Sequence, residues 1–254
     1  MASRSLWQLN GTQATFTTAH VSGDCSLCDP NQGIQLLSIN DSAVTLFHLL
    51  GPNLPRIENA SDIAARVDAY TRCGDLVGIY APVEQHPFRS QAYWRFDSHA
   101  LTCGGATAFE AIELVASKQT DLLDSRPDLT VTSTLPVSSA WRLKTEQGGC
   151  EEIKLSHAIT VSSRDGLSCF VFRLPGEQFS YAEIVYPLDF DTTEIAPTAA
   201  GQVSVRHHLF AHRLEKGVIL RARVLGLILP REGDLQTAAL HYASFAASDP
   251  PLTT

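Results

Sequence analysis

Three histidines stand within six residues in the segment VRHHLFAHRLEKG, which runs from Val205 to Gly217. Imidazole is the commonest metal ligand and titrates near neutral pH, so this spacing raises two chemistries, metal binding and proton transfer. On a regular strand His208 and His212 lie roughly 13 Å apart, because each residue adds about 3.3 Å. One metal ion cannot bind both. The sequence therefore favours either one histidine at a pocket or hydrogen-bonded histidines in the wall of a sheet.

The turn at Glu215–Gly217 decides which way these histidines face if it joins two neighbouring strands. Two-residue hairpin turns favour Asn or Gly at their centre, whereas a three-residue turn with a left-handed glycine suits Glu-Lys-Gly. In that register His208 and His212 share an apolar face with Leu220 and Ala222, while the alternative register groups them with arginines. We therefore expect His208 and His212 on the apolar face, as candidate acid–base residues.

A second candidate site lies within the segment 85–99, QHPFRSQAYWRFDSH. Alternation along a strand places four side chains on one face: Tyr93, Arg95, Asp97 and His99. Tyr93 and Arg95 are candidate ligand-binding residues, because an aromatic ring can pack on a sugar while polar groups fix its hydroxyls. Asp97 and His99 are candidate catalytic residues, because a carboxylate beside an imidazole can share acid–base work. A solvated strand face with an Arg–Asp pair is the alternative.

The segment FSYAEIVY predicts another strand, in which Tyr181 and Glu183 share a face with Phe179 and Val185. If that face is buried, desolvation raises the pKa of a carboxyl group and makes Glu183 a candidate general acid or base. Tyr181 is then a candidate ligand-binding residue beside it. If the face is exposed, Glu183 is an ordinary surface carboxylate.

Cys25 and Cys28 have the two-residue spacing with which two thiolates hold one zinc ion. A strong zinc signature needs a second such pair, and the other cysteines stand alone in the sequence. Asp29 and Pro30 after the pair favour a loop, whereas a redox motif opens a helix. We therefore expect ordinary thiols, no bound metal and no cofactor. The signatures of nucleotide hydrolases, common zinc proteases and standard serine hydrolases are also absent.

Segments rich in β-branched and aromatic residues recur from Asp75 onward, each bounded by Gly, Pro, Asp or Ser. They are DLVGIYAP, QAYWRF, AFEAIELVAS, LTVTSTLP, SCFVFRLP, SYAEIVYP and VILRARVLGLILP. The stretches between them show little helical periodicity, which disfavours a parallel sheet with crossover helices. The sequence therefore predicts a mainly β protein, an antiparallel β-sandwich or a curved, supersandwich-like sheet. One β-rich domain is expected over residues 1–254.

Three helices are expected beside these strands. Two are short and lie in the N-terminal half, one from a cap at Asn40 or Asp41 to Leu50 and the other over Asp62–Tyr70. The third is C-terminal, within GDLQTAALHYASFAAS, where apolar residues form one stripe. We expect this third helix to lie on a sheet or at a subunit contact.

Composition excludes several functions. The chain has 254 residues, 44% of them hydrophobic, and a net charge of −8. A general nucleic-acid binder needs clustered Lys and Arg, and no polybasic run is present for an anionic membrane surface. No apolar run reaches the roughly 18 residues of a spanning helix. The N-terminus, MASRSLWQLNG, lacks the apolar region of a signal peptide, so a cytoplasmic location is expected.

Two functional hypotheses remain. At the level of architecture, many strands with scattered His, Asp and Glu resemble β-sandwich sugar epimerases and carbohydrate-binding modules. The first hypothesis is binding or modification of a carbohydrate-like small molecule, in which His208, His212 or His99 acts with Glu183 or Asp97. The second is a non-catalytic assembly or scaffold protein that self-associates, for example as a homodimer. Fold does not dictate function, so the sequence leaves open whether the protein is an enzyme.

Overall fold

The computed structural model describes residues 6–57, 67–72, 74–96, 102–145, 149–176, 178–210 and 212–249. The strands in this part of the chain are β1 (Trp7–Asn10), β2 (Gln13–Thr17), β3 (Val21–Ser26), β4 (Ile34–Ile39), β5 (Ser42–Pro52), β6 (Val67–Arg72), β7 (Asp75–Tyr80), β8 (Arg89–Phe96), β9 (Thr102–Cys103), β10 (Ala106–Thr107), β11 (Glu110–Gln119), β12 (Asp124–Ser125), β13 (Thr130–Leu135), β14 (Ser139–Leu143), β15 (Cys150–Ile153), β16 (Ile159–Ser162), β17 (Cys169–Arg173), β18 (Phe179–Val185), β19 (Thr192–Pro197), β20 (Val203–His208), β21 (Leu214–Glu215) and β22 (Ile219–Pro230). The helices within these described ranges are two short 3₁₀ turns, Pro30–Gln32 and Ser163–Asp165, and one α-helix, α1 (Asp234–Ala246).

The strands form two large antiparallel sheets of nine strands each. The first sheet has the order β1-β2-β3-β4-β5-β13-β20-β19-β16, and the second has the order β15-β14-β17-β18-β22-β11-β8-β7-β6. Two ribbons, β9–β10 and β12–β21, complete the described strands. The predicted antiparallel sandwich is therefore confirmed, and each of the seven predicted strand segments contains a strand.

The core lies between the two sheets, because most strands have one apolar face. In β13, for example, buried and half-buried residues alternate along TVTSTL. Two buried polar groups also join the sheets. Trp94 donates its ring N–H to the Leu50 carbonyl at 3.0 Å, and Tyr80 donates its hydroxyl to the Leu27 carbonyl at 3.1 Å. The space between the sheets is thus largely apolar, and these two polar atoms are paired to backbone across it.

Helix α1 covers part of the outer face of the second sheet, where it packs on β17, β18 and β22. Asp234, at its first turn, accepts hydrogen bonds from Arg173 at 2.9 Å and from Ser180 at 2.7 Å. Tyr242 and Phe245 are buried against the sheet. The expectation that this helix lies on a sheet is confirmed. No helix in the described ranges is long and apolar enough to cross a membrane.

The two helices predicted in the N-terminal half are wrong where the structure describes them. Asn40 and Asp41 both have positive φ, 45° and 61°, and form the two-residue turn of the β4–β5 hairpin. Both residue types tolerate this conformation as well as capping helices, so the capping signal was in fact a turn signal. The C-terminal end of the predicted helix Asp62–Tyr70 lies in β6, and residues 61–66 lie outside the described residues.

The hairpin predicted at Gly217 is also wrong, although this glycine does have a positive φ of 81°. Strand β20 pairs with β13 and β19 in the first sheet, whereas β22 pairs with β11 and β18 in the second. The chain crosses between the sheets through β21. His208 therefore does not share a face with Leu220 and Ala222; it lies on the outer side of the first sheet. His207, two residues after the buried Val205, points into the core instead.

Candidate ligand-binding site

The outer face of the second sheet carries a patch of polar side chains beyond the region that α1 packs on. Strand register brings them together: Gln91 pairs with Ser117 of β11 and with Ile79 of β7, while Ser117 also pairs with Arg221 of β22. One pair further along, Arg89 lies opposite Gln119. Because residues two apart on a strand point the same way, these side chains share one face.

These side chains line a cavity of about 210 Å³. The lining residues come from five neighbouring strands: Tyr70, Ile79, Arg89, Gln91, Tyr93, Ser117, Gln119, Ile219 and Arg221. Two aromatic rings, two guanidinium groups, two amides and a hydroxyl thus converge on one depression. Among the described lining residues none is a carboxylate or a histidine, so the cavity provides hydrogen-bonding groups and apolar ring faces but no evident general acid–base pair.

Tyr93 lies in the cavity wall beside Tyr70 and Arg221. Its hydroxyl donates to the Gln91 side-chain oxygen at 3.1 Å. Partial burial, the neighbouring Tyr70 hydroxyl and Asp75 together raise the pKa of Tyr93, and Arg221 acts in the opposite direction. Tyr93 is therefore a neutral phenol at physiological pH and can both donate and accept hydrogen bonds.

An ion-pair network borders the cavity one residue pair further along the same face. Glu113, with a side chain only 4% exposed, lies 2.5 Å from Nε of Arg223 and 3.7 Å from Nη1 of Arg95. Arg95 also lies 3.5 Å from the Asp75 carboxylate. The Arg223 guanidinium stacks over the Phe245 ring at 4.4 Å, which ties the network to α1. Because each charge has a partner, this network holds Arg95 in place beside Tyr93.

A second polar cluster lies between the sheets and is fully buried. Oε1 of Glu183 accepts a hydrogen bond from Ser133 at 3.0 Å and lies 3.1 Å from Nε2 of His207, without the N–H alignment of a hydrogen bond. Nδ1 of His207 lies 2.8 Å from the Thr193 hydroxyl. Tyr181 is 1% exposed beside them, and burial followed by the Glu183 charge raises its pKa. Glu183 and His207 are both 0% exposed, so a bulky ligand does not reach them in this conformation.

The structure thus separates the residues that the sequence grouped as catalytic. Glu183 meets His207, whereas His208 lies 3.6 Å from Glu194 on the outer side of the first sheet. His212 is exposed in the connection between β20 and β21. Of the predicted ligand-binding residues, Tyr93 lines the cavity and Arg95 borders it, whereas Tyr181 lies in the core. Two further candidates, Asp97 and His99, lie outside the described residues.

Several residues that line the cavity are not among the candidates predicted from the sequence, although the sequence carries a signal for two of them. Arg89 and Gln91 continue the alternation of Tyr93 and Arg95 along the same strand face. Tyr70 lies on β6, which pairs with the next strand β7, but the sequence predicts a helix that ends at this residue. Arg221 depends on the pairing of β22 with β11, strands far apart in sequence, which one sequence does not reveal. Val203 and Val205 alternate with polar residues in the sequence. Continuing this alternation to position 207 predicts His207 on the buried face of the strand, where the structure places it.

The two cysteines with zinc-like spacing lie apart from this cavity. Cys25 is buried, and burial raises the pKa of its thiol, which disfavours the thiolate that a metal needs. Cys28 donates its thiol to the Thr12 hydroxyl at 3.1 Å. Within the described ranges, no group of three His, Cys, Asp or Glu side chains is arranged to hold a metal ion.

No family model matches the chain, and no curated protein matches it in sequence. Among solved structures, it is similar to a candidate aldose 1-epimerase from Escherichia coli K12, with a TM-score of 0.54 and 10% identity over 84% of this chain and 97% of that one. A galactose mutarotase-like protein from Lactobacillus casei gives 0.52 and 10%, over 85% and 99%. A candidate mutarotase from Salmonella typhimurium gives 0.51 and 9%, over 89% and 93%. The chain therefore has the sandwich fold of these mutarotase-like proteins.

Proposed function

We propose that the protein binds a sugar or a similar polyol in the cavity on the outer face of the second sheet. The observation that carries this proposal is the convergence of Tyr70 and Tyr93 with Arg89, Gln91 and Arg221 around one depression. Sugars present hydroxyl groups at their edges and apolar C–H faces. A site with few, fixed polar groups beside aromatic rings meets both requirements.

The strands support this use because they hold the side chains rigidly. The lining residues Gln91 and Ser117 lie within paired strands in the middle of the second sheet. The Glu113 network fixes Arg95 at the border of the cavity. Prior ordering of these groups lowers the entropy lost when a ligand binds.

The names of the similar structures agree with the proposal, since aldose and galactose are sugars. At about one identical residue in ten, these proteins share the fold with this chain, and a fold alone does not fix a ligand. Support for a sugar ligand therefore comes from the cavity's own residues.

We restrict the proposal to binding, with chemical modification of the sugar as a separate step to be tested. Glu183 and His207 are the described carboxylate–imidazole pair of the core, but they are fully buried. Asp97 and His99 remain candidate catalytic residues by their place in the sequence after Arg95. If the protein is an enzyme, substitution of Asp97 or His99 should reduce turnover more than it reduces binding.

Titration calorimetry with galactose and with galacturonate tests the proposal. We expect saturable binding that Tyr93→Ala and Arg89→Ala weaken about tenfold each, because each removes a direct contact. Arg206→Ala is a matched control, because Arg206 is a half-exposed arginine on the first sheet. Absence of binding to either sugar at millimolar concentration, or equal weakening by Arg206→Ala, would contradict the proposal.

A further inference from the structure

A second, larger depression of about 580 Å³ adjoins the proposed sugar cavity. Arg89 and Gln119 line both cavities, so the two spaces meet at this pair of residues. The larger one lies beyond the ends of β8 and β11. Its walls include the apolar residues Pro87 and Leu122.

Hydrogen bonds hold the walls of the second cavity together. Thr120, which is 3% exposed, donates its hydroxyl to the Pro87 carbonyl at 3.1 Å and accepts from the Leu122 amide at 3.2 Å. The Gly217 amide donates to the Thr120 carbonyl at 3.2 Å. Three chain segments thus converge on one buried threonine, which makes the second cavity a fixed feature of the surface.

The shared wall at Arg89 and Gln119 leaves space for one ligand to extend through both cavities. The smaller volume, about 210 Å³, is below the range of about 300–1,000 Å³ in which most ligand pockets fall, whereas the larger volume, about 580 Å³, is within it. The smaller cavity therefore suits a small ligand, and the larger one offers adjoining space for a longer ligand.

Charge differs between the two cavities. The smaller one carries the guanidinium groups of Arg89 and Arg221, whereas the larger one shares Arg89 and adds the carboxylates of Glu84 and Asp121, so negative charge is in excess there. Carboxylates accept hydrogen bonds from sugar hydroxyls, but they repel an acidic sugar unit. The larger cavity therefore suits a neutral sugar unit.

From this arrangement we propose that the two cavities form one groove that binds a neutral oligosaccharide of two or more sugar units. This inference rests on the proposed function, because the first unit occupies the cavity of Tyr93. It adds a second subsite, in which Glu84 and Asp121 accept hydrogen bonds from the next unit and Leu122 packs on its apolar face.

Affinity as a function of chain length tests this inference. Calorimetry is performed with galactose and galactotriose, and in parallel with galacturonate and trigalacturonate. We expect galactotriose to bind about tenfold more tightly than galactose, while trigalacturonate gains nothing over galacturonate. In a Glu84→Ala, Asp121→Ala double variant the ratio of the two neutral affinities should fall to about one. Both side chains are exposed, so the protein should fold, and Glu232→Ala is a control for the loss of an exposed carboxylate elsewhere.

The outcomes separate the two proposals. Equal affinities for galactose and galactotriose, both weakened by Tyr93→Ala, would overturn the second subsite and leave the sugar cavity supported. A gain with chain length that the double variant does not change would also overturn it, since the longer sugar would then leave the cavity by another side. Absence of binding to all four sugars would overturn the proposed function and this inference with it.

Discussion

Lys118 is a buried lysine whose replacement by methionine should make the protein more stable near neutral pH. Its side chain lies at the end of β11, with the residue 3% exposed. The ammonium group donates to the Asp128 carbonyl and lies 5.4 Å from the centre of the Phe88 ring. Burial is the main cause that lowers its pKa from 10.5 to about 8. Folding thus costs free energy whenever Lys118 is charged.

The magnitude follows from the two pKa values. Between pH 8 and 10.5 the unfolded chain binds more protons at Lys118 than the folded chain, so stability rises with pH in this window. The penalty for burying the charged lysine is absent above pH 10.5, grows as the pH falls from 10.5 to 8, and is complete below pH 8. The penalty is about 3 kcal/mol at pH 7 and about 1 kcal/mol at pH 10.

Urea unfolding of the native protein and of Lys118→Met at several pH values from 7 to 10 measures this effect. We expect the variant to be more stable at pH 7, and its advantage to shrink by about 2 kcal/mol at pH 10. Other titrating groups cancel in the difference between the two proteins. Lys216→Met is the matched control, because Lys216 is exposed, and its difference should stay constant. A constant difference for Lys118→Met as well would contradict a lowered pKa of Lys118 in the folded protein.

Three further predictions concern the outer face and the core of the second sheet. Glu113→Ala should lower the free energy of unfolding, measured in urea, by about 3 kcal/mol, because Arg223 stays buried without its carboxylate partner. A loss of only about 0.5 kcal/mol, which is typical of a surface substitution, would contradict this prediction. Gly226→Ala should cost about 2 kcal/mol, because a Cβ there would lie 2.7 Å from the Tyr181 hydroxyl, and pairing it with Tyr181→Phe should recover part of the loss. Burial raises the pKa of Asp189 to about 6, so the contribution of this group to stability should fall by about 2 kcal/mol as the pH rises from about 4 to 6. In urea unfolding, the stability of Asp189→Asn relative to the native protein should therefore rise by about 2 kcal/mol over this range, and a constant difference would count against the prediction.

Local patterns in the sequence were sufficient for the strands and for one edge of the site. β-Branched and aromatic runs predict β7, β8, β11, β13, β17, β18 and β22, because such side chains suit a pleated surface. Alternation along β8 also places Tyr93 and Arg95 on one face. The same local rules misread Asn40-Asp41, since these residue types serve equally as helix caps and as left-handed turn residues.

What one sequence could not reveal is which strands become neighbours. The register prediction at Gly217 treated β20 and β22 as a hairpin because they are close in sequence, yet they belong to different sheets. Arg221 likewise reaches the cavity because β22 pairs with β11, a strand about 100 positions earlier in the chain. Pairing of this kind depends on how the whole set of apolar faces is buried, which is a property of the complete chain.

The buried pair of Glu183 and His207 shows why a polar residue on an apolar strand is an ambiguous sign of chemistry. Glu183 belongs to the second sheet, while His207 and its neighbour Ser133 belong to the first, so the cluster links the two sheets across the core. A slip of either strand by one residue would move one partner to the outer face and leave the other buried without it, which is costly. We therefore expect the pair to oppose misaligned packing, a role that would account for a buried carboxylate without a substrate. On the outer face no such requirement acts on Arg89 and Gln91, and their convergence with Tyr93 is the better sign of a ligand.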